Sequence, residues 1–172
     1  MEPGDEKVVD WNREWRRLGL VVDRCNDVDG LMADILIAYI KPAADREPFV
    51  ERYLLHNSVI SFGTKITLVL QIAKLPGAPK IDGEAIRKVG NLRNAVAHVP
   101  VSRGVRYNMN ALMGKTGPYF VAETMQSGMR FTERNRDEVV LECLETALRV
   151  YDDLVALRDF VDRLNGPPPA GT

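Results

Sequence analysis

Apolar residues recur every three or four positions through most of the first hundred residues, which is the spacing of one face of a helix. Four helices are predicted in this part, over about 8–18, 20–41, 47–56 and 60–75. Pro42 ends the second of them, and Pro76 with Gly77 ends the fourth. In the first helix, Trp11, Trp15 and Leu18 are spaced to share one face. The first half of the chain is therefore predicted to be helical.

A fifth helix is predicted over 82–99, after the linker "PGAPKIDGE". Asp82 is a typical N-cap residue, because its carboxylate accepts hydrogen bonds from the first free backbone N–H groups. Glu84 in the first turn favours the positive end of the helix dipole. Pro100 ends the helix just after His98, since proline cannot continue it.

The pattern changes over 101–132, where short alternating or aromatic stretches are separated by glycines. Two or three β-strands are predicted there, as a small hairpin or meander. Helical spacing returns at Asn135, which can form a capping box with Glu138. One stripe of this long last helix is expected to pack on the core: Leu141, Leu144, Leu148, Tyr151, Val155 and Arg158. The predicted fold is mainly α, as a single domain over 1–165 followed by a flexible tail at 166–172.

Composition is that of an ordinary globular protein, with 45% apolar and 27% charged residues in 172 positions. The most apolar run, at 31–40, contains Asp34 and is too short to span a bilayer, so a cytoplasmic protein without membrane attachment is expected. Cys25 and Cys143 are isolated from each other and from histidine, and both are expected in the core. No cofactor or metal site is predicted.

Net charge is −1, but its distribution along the chain is uneven. Residues 80–136 contain 10 Lys or Arg and 4 Asp or Glu, a balance of +6, whereas residues 137–172 contain 3 and 8, a balance of −5. A basic segment of this kind attracts a phosphate backbone. Chance clustering of charges on a solvated face explains the same imbalance, and the sequence leaves both interpretations open.

The helix over 82–99 separates into two faces. At about 100° per residue, an apolar stripe falls within about 40° of one direction and consists of Ala85, Val89, Leu92, Val96 and Val99. A polar stripe lies almost opposite and consists of Arg87, Asn91, Asn94 and His98. Arg93 lies on the side nearer the core, and Gly90 and Ala97 flank the polar stripe. Because small residues permit close backbone contact, this arrangement indicates that another helix packs here.

The polar stripe contains residues suited to acid–base chemistry. His98 lies in the last turn, where the negative end of the helix dipole favours the imidazolium form. Asn94 lies one turn earlier and is placed to contact the same ligand or to orient the ring. Both asparagines of the stripe, at 91 and 94, are poor helix formers, so their use requires an explanation. The alternative is a solvated stripe in which Arg93 pairs with a carboxylate and His98 only ends the helix.

The segment "RNAVAH" at 93–98 resembles the Arg-polar-x-x-x-His motif of the HEPN superfamily. The stretch from "FGTKITLVLQIAKL" to "EAIRKVGNLRNAVAH" is similar to its mannitol operon repressor-like branch, and the similarity covers roughly 57–98. The resemblance implies a HEPN-like helical bundle that is usually dimeric. Many members cleave RNA without metal, as toxins or defence effectors, whereas others are non-catalytic regulatory or interaction proteins. The resemblance therefore leaves both functions open.

On the ribonuclease interpretation, Arg93, Asn94 and His98 are the catalytic candidates. Arg87, Asn91, Arg103 and Arg106 are the candidates for binding RNA. Cleavage by a ribose 2′-hydroxyl needs a second proton carrier, and a homodimer with two copies of His98 would supply it. An antitoxin or regulatory protein is a further candidate partner.

Further residues of interest lie outside the motif, and the insertion over 101–132 departs from the family pattern. His56 shows no partner pattern and is expected to be structural, and Ser58 and Ser61 lack a histidine–acid setting. The insertion over 101–132 is an arm exchanged between subunits, a lid or decoration, and its Lys115 and Arg130 are further candidates for phosphate contact.

Overall fold

The structure, a computed structural model, describes residues 11–56, 58–97, 105–108, 117–126 and 130–166. The described residues fall into two compact units. Unit 1 takes its residues from 1–23 and 91–145, and unit 2 takes its residues from 24–90 and 146–172. The single domain over 1–165 stays a prediction, and 167–172 of the expected tail lie outside the described residues.

Helix α1 runs without a break from Trp11–Ile40. The prediction of two helices meeting near Gly19 is therefore wrong. A glycine inside a helix costs only about 0.5–1 kcal/mol relative to alanine, which continued burial of the same helix easily outweighs. Its buried side chains keep helical spacing after the glycine: Val21, Cys25, Val28, Met32, Ile35 and Leu36. Trp15, in contrast, is exposed, so this tryptophan does not face a core.

The region predicted as a helix over 47–56 contains a short α2, Glu47–Phe49, followed by a π-helical segment, Val50–Leu54. Pro48 lies in the first turn of α2, where its missing N–H costs nothing. Helix α3 spans Phe62–Ile72, and the side chain of Ser61 caps it by accepting a hydrogen bond from the Thr64 N–H at 3.3 Å. The predicted helix over 60–75 is thus present but shorter.

A buried ion pair links α1 to α3 inside unit 2. The Lys65 ammonium donates to the Asp29 carboxylate at 2.8 Å, and Lys65 is almost completely buried. A charge removed from water in this way needs a close partner of opposite sign. The pair therefore fixes the register of α3 against α1.

Helix α4 spans Gly83–Ala97. The Asp82 carboxylate accepts hydrogen bonds from the backbone N–H groups of Glu84 and Ala85, at 3.1 and 3.0 Å, which confirms the predicted N-cap. Residues 98–100 lie outside the described residues, so the predicted end of this helix stays a prediction.

Three antiparallel strands follow, in the order β1-β2-β3, which agrees with the predicted meander. They are β1 Val105–Asn108, β2 Gly117–Gln126 and β3 Arg130–Asn135. The Tyr107↔Pro118 pair marks the register between β1 and β2, and Thr124↔Thr132 marks it between β2 and β3.

The last helix, α5, spans Arg136–Leu164, and its N-terminus is capped by Asn135, whose side-chain oxygen accepts from the Asp137 N–H at 2.9 Å. The predicted packing stripe of this helix is wrong. Leu141 and Leu148 are 57% and 56% exposed, and Arg158 forms ion pairs with Asp162 and Asp34 instead of packing. A different stripe is buried: Cys143, Ala147, Val150, Leu154, Leu157 and Val161.

Most described residues are helical, so the fold is mainly α, as predicted. Cys25 and Cys143 are both buried, as expected, and neither forms a disulfide. None of the described helices combines the length and the apolar character needed to cross a membrane.

Candidate functional site

Helix α4 places the candidate site, and its two faces agree with the predicted pattern. Its core side chains are almost fully buried: Ala85, Ile86, Val89, Leu92, Ala95 and Val96. On the opposite face, Arg87, Asn91 and Asn94 are exposed, and Arg93 is half-buried between the two faces. Val99 and His98 lie outside the described residues. Burial of one face holds the helix in place, so its polar side chains are presented by a rigid element.

Arg93 and Asn94 contact each other in unit 1. One terminal nitrogen of the Arg93 guanidinium donates to the side-chain oxygen of Asn94 at 3.2 Å. The contact uses one donor of a group that has five, and it leaves the Asn94 amide N–H₂ free to donate. Together the two side chains present several N–H donors. Phosphate and carboxylate oxygens both match such a planar fork of donors.

The end of α4 is held by a buried arginine that the sequence pattern did not single out. Arg136, only 3% exposed, donates to the backbone oxygen of Val96 at 2.9 Å. In a continuing helix that oxygen would accept from the N–H four residues later, but position 100 is a proline and has no N–H. Arg136 therefore supplies the hydrogen bond that the backbone at Pro100 has no N–H to make. Pro100 four residues after Val96 was the signal in the sequence that an outside donor is needed.

The small residue Gly90 has a neighbour within its own unit. A Cβ placed on Gly90 would lie 2.9 Å from Cε1 of Phe62, so the Phe62 ring occupies the space that the glycine leaves open. From the sequence, Gly90 was predicted to let a helix of a partner pack closely against α4. The aromatic ring of the same chain accounts for this glycine instead, and Gly90 no longer supports a partner helix. The Ala97 side chain is not described.

Arg87, the RNA-binding candidate in unit 2, pairs with Glu84 one turn earlier at 2.5 Å. It lines an open cleft of about 830 Å³ around the start of α4. The charged side chains of that cleft are Lys74, Lys80, Arg87, Asp82, Glu84 and Asp153. Cations and carboxylates are equal in number, so the cleft itself is not a strongly basic surface.

The basic residues of the insertion are only partly described. Arg106 lies in β1 opposite Tyr119, and Arg130 lies in β3 opposite Gln126, but their side chains are not described. Arg103 and Lys115 lie outside the described residues. The binding role of Arg103 and Arg106 therefore stays a prediction.

The second histidine forms a local contact that the sequence did not reveal. The Nδ1 atom of His56 lies 2.9 Å from the Ser58 hydroxyl and accepts from the Ser58 backbone N–H at 3.3 Å. The His56 carbonyl accepts from Val59 and Ile60 in the same turn. A histidine whose ring and carbonyl both accept backbone N–H groups stabilises a turn. This agrees with the structural role expected of His56.

Compared with known proteins, the chain matches no family model, no curated protein sequence and no solved structure. The case for any function therefore depends on the residues and contacts of this chain.

Proposed function

We propose that this protein is a metal-independent endoribonuclease of HEPN type. The observation that carries the proposal is the Arg93–Asn94 contact, which presents hydrogen-bond donors at the exposed side of a well-packed helix. The two residues stand one turn before His98 in the sequence, in the Arg-Asn-x-x-x-His spacing. The chemistry requires two proton carriers and a positive charge on the phosphate, and in this proposal the motif supplies one carrier and the charge.

The proposed reaction is attack of a ribose 2′-hydroxyl on the neighbouring phosphorus atom. The hydroxyl oxygen forms a bond to phosphorus, the bond from phosphorus to the leaving 5′-oxygen breaks, and a 2′,3′-cyclic phosphate remains. One base takes the hydroxyl proton, and one acid gives a proton to the 5′-oxygen. His98 acts as one of these groups. Arg93 stabilises the additional negative charge on the phosphate oxygens, and Asn94 orients Arg93 through their hydrogen bond.

The second proton carrier comes from a second copy of the chain in this proposal. A two-fold dimer brings one residue of each protomer to the same place, so two His98 side chains would act on one phosphate. Because the Phe62 ring fills the space beside Gly90, that glycine does not support a dimer. The support for the dimer is the need for a second proton carrier.

RNA binding is proposed to extend along the basic middle of the chain. Arg87 is exposed on α4, where it pairs with Glu84, and RNA binding would replace that pair by a contact to phosphate. Arg103 and Arg106 belong to the insertion, and Asn91 belongs to the exposed face of α4. Lysine and arginine side chains bind the phosphate backbone whatever the base sequence, so the proposal implies weak sequence preference and strong dependence on salt.

The test is incubation of the purified protein with mixed RNA in EDTA, for wild type and single variants. Arg93→Ala and His98→Ala are expected to slow cleavage by about 10²–10⁴. Asn94→Ala should have a smaller effect, because it orients a group and transfers no proton. His56→Ala is the matched control, since it removes the other histidine of the chain and should leave the rate unchanged. An inactive wild type, or full activity in His98→Ala, would refute the proposal.

The second candidate function is a non-catalytic regulatory or protein-interaction module, with a partner such as an antitoxin or a regulatory protein. The exposed leucines of α5 favour it, because large exposed apolar patches mark interaction sites. On this account Arg93→Ala and His98→Ala change no activity, and substitution of the exposed leucines abolishes partner binding.

A further inference from the structure

Helix α5 carries two apolar stripes, each with the alternating three–four spacing of a heptad pattern. The core stripe is Cys143, Ala147, Val150, Leu154, Leu157 and Val161, and it is buried. The second stripe, here called the α5 seam, is Leu141, Leu144, Leu148, Tyr151 and Val155. At about 100° per residue the two stripes lie about 120° apart around the helix. When α5 packs against the core through its core stripe, the seam therefore lies on the flank of the helix and does not face the core.

The α5 seam is open along its length. Four of its five side chains are exposed and Leu144 is half-buried. The spacing that places them in one row is the spacing used where two helices pack along each other. A row of five large apolar side chains is not the scattered exposure that is normal on a protein surface. The seam therefore has the form of one half of a helix–helix interface.

The charges beside the seam indicate what kind of helix fits it. On its solvent side lies a row of acidic residues, Glu145, Asp152 and Asp159, all exposed. Within the described residues none of the three forms an ion pair. On the other side of the seam, Ala147 and Leu154 are buried in the core. Arg158 also borders the seam there, and its charge is paired with Asp34 and Asp162. A helix that packs on the seam therefore meets negative charge along its exposed border.

We propose that the α5 seam binds a partner protein through an amphipathic helix whose apolar stripe is bordered by lysine or arginine. Residues that border such a seam set the choice of partner through their charges. A second copy of this chain fits less well in the antiparallel arrangement. Packed antiparallel about a two-fold axis, its acidic row would face the acidic row of the first copy, and like charges so placed are unfavourable. The seam contains neither Arg93 nor Asn94, so this inference is independent of the ribonuclease proposal; it names the surface and the partner chemistry of the second candidate function.

The test uses two synthetic helical peptides with the same leucine heptads, one bordered by lysine and its twin bordered by glutamate. Binding of each fluorescent peptide to the full chain is followed by anisotropy. The lysine peptide is expected to bind wild type, and Leu148→Gln to weaken this binding by about tenfold or more, since a buried leucine anchor is replaced by a polar group. Val59→Gln is the matched control, because Val59 is equally exposed but lies outside the seam.

A charge reversal tests the acidic row separately. The double variant Glu145→Lys, Asp152→Lys is expected to lose the lysine peptide and to gain the glutamate peptide. Equal binding of the two peptides to wild type, binding of neither, or full binding to Leu148→Gln would overturn the proposal. Light scattering tests whether a second copy of the chain occupies the seam. A wild-type oligomer that Leu148→Gln converts to monomer would show that it does, and this result would also overturn the proposal. Far-UV circular dichroism establishes that each variant is folded.

Discussion

Helices α4 and α5 differ in how well their apolar patterns reveal their packing. Helix α4 has one apolar stripe, and its members, such as Val89 and Val96, are buried as predicted. Helix α5 has two stripes of the same spacing, and the one with more leucines is exposed. Spacing shows which residues share a face of a helix, but it does not show which of two faces meets the core. That choice depends on the shape of the surface against which the helix packs.

The composition of the two α5 stripes offers a physical reason for the choice. The buried stripe includes Cys143, Ala147 and Val150, which are small enough to let a neighbouring backbone come close. The exposed seam begins with three leucines, which hold a neighbour further away. Close packing over many contacts favours the stripe that fills space without gaps. Hydrophobicity alone therefore selected the wrong stripe.

The largest expected effect separates the two α5 stripes directly. Leu154→Ala removes a fully buried side chain, and it should lower the free energy of unfolding by about 2–5 kcal/mol. Leu148→Ala removes a side chain of the same size from the seam, and it should change that free energy by no more than about 0.5 kcal/mol in the isolated protein. Urea denaturation of both variants measures the difference. Equal losses would mean that the seam is covered, in which case the comparison of the two stripes fails.

An intermediate effect is expected where α5 supports the end of α4. Arg136→Met removes the donor to the Val96 carbonyl, and it should cost about 1.5–3 kcal/mol, since hydrogen bonds from charged groups lie in this range. Hydrogen exchange should rise most in the last turn of α4. Arg136→Lys should restore part of the loss, because an ammonium also donates. Unchanged exchange at the end of α4 in Arg136→Met would show that Arg136 does not support it.

The smallest effect is expected at Gly90. Gly90→Ala gains about 1 kcal/mol of helix propensity but places a methyl group 2.9 Å from the Phe62 ring, which must then move. The net change in the free energy of unfolding should stay below about 1 kcal/mol. Adding Phe62→Leu should make Gly90→Ala clearly stabilising. Light scattering should find the same oligomeric state in both variants, and a dimer lost in Gly90→Ala would show that Gly90 packs against a second copy.

The sequence predicted the elements of the fold better than their limits. Asp82 and the single apolar stripe identified α4 correctly, and the glycine-separated aromatic stretches identified the strands. Gly19 was wrongly taken as a break, because local propensity is weak beside burial of a long face. The candidate site of Arg93, Asn94 and His98 stays a prediction, because a contact between two neighbours in the sequence tests no function. Arg136 was missed because its contact joins residues 40 positions apart, and periodicity describes only neighbours.

The chemistry of the product ends tests the proposed function most directly. RNA cleaved by wild type in EDTA should carry 2′,3′-cyclic phosphate and 5′-hydroxyl ends, because the attacking group is the neighbouring 2′-hydroxyl. A substrate with a 2′-deoxyribose at the cleaved position should remain intact there, and Arg93→Ala should leave the natural substrate almost uncut. Products with 5′-phosphate ends, cleavage at the deoxy position, or no cleavage by wild type would contradict the proposal.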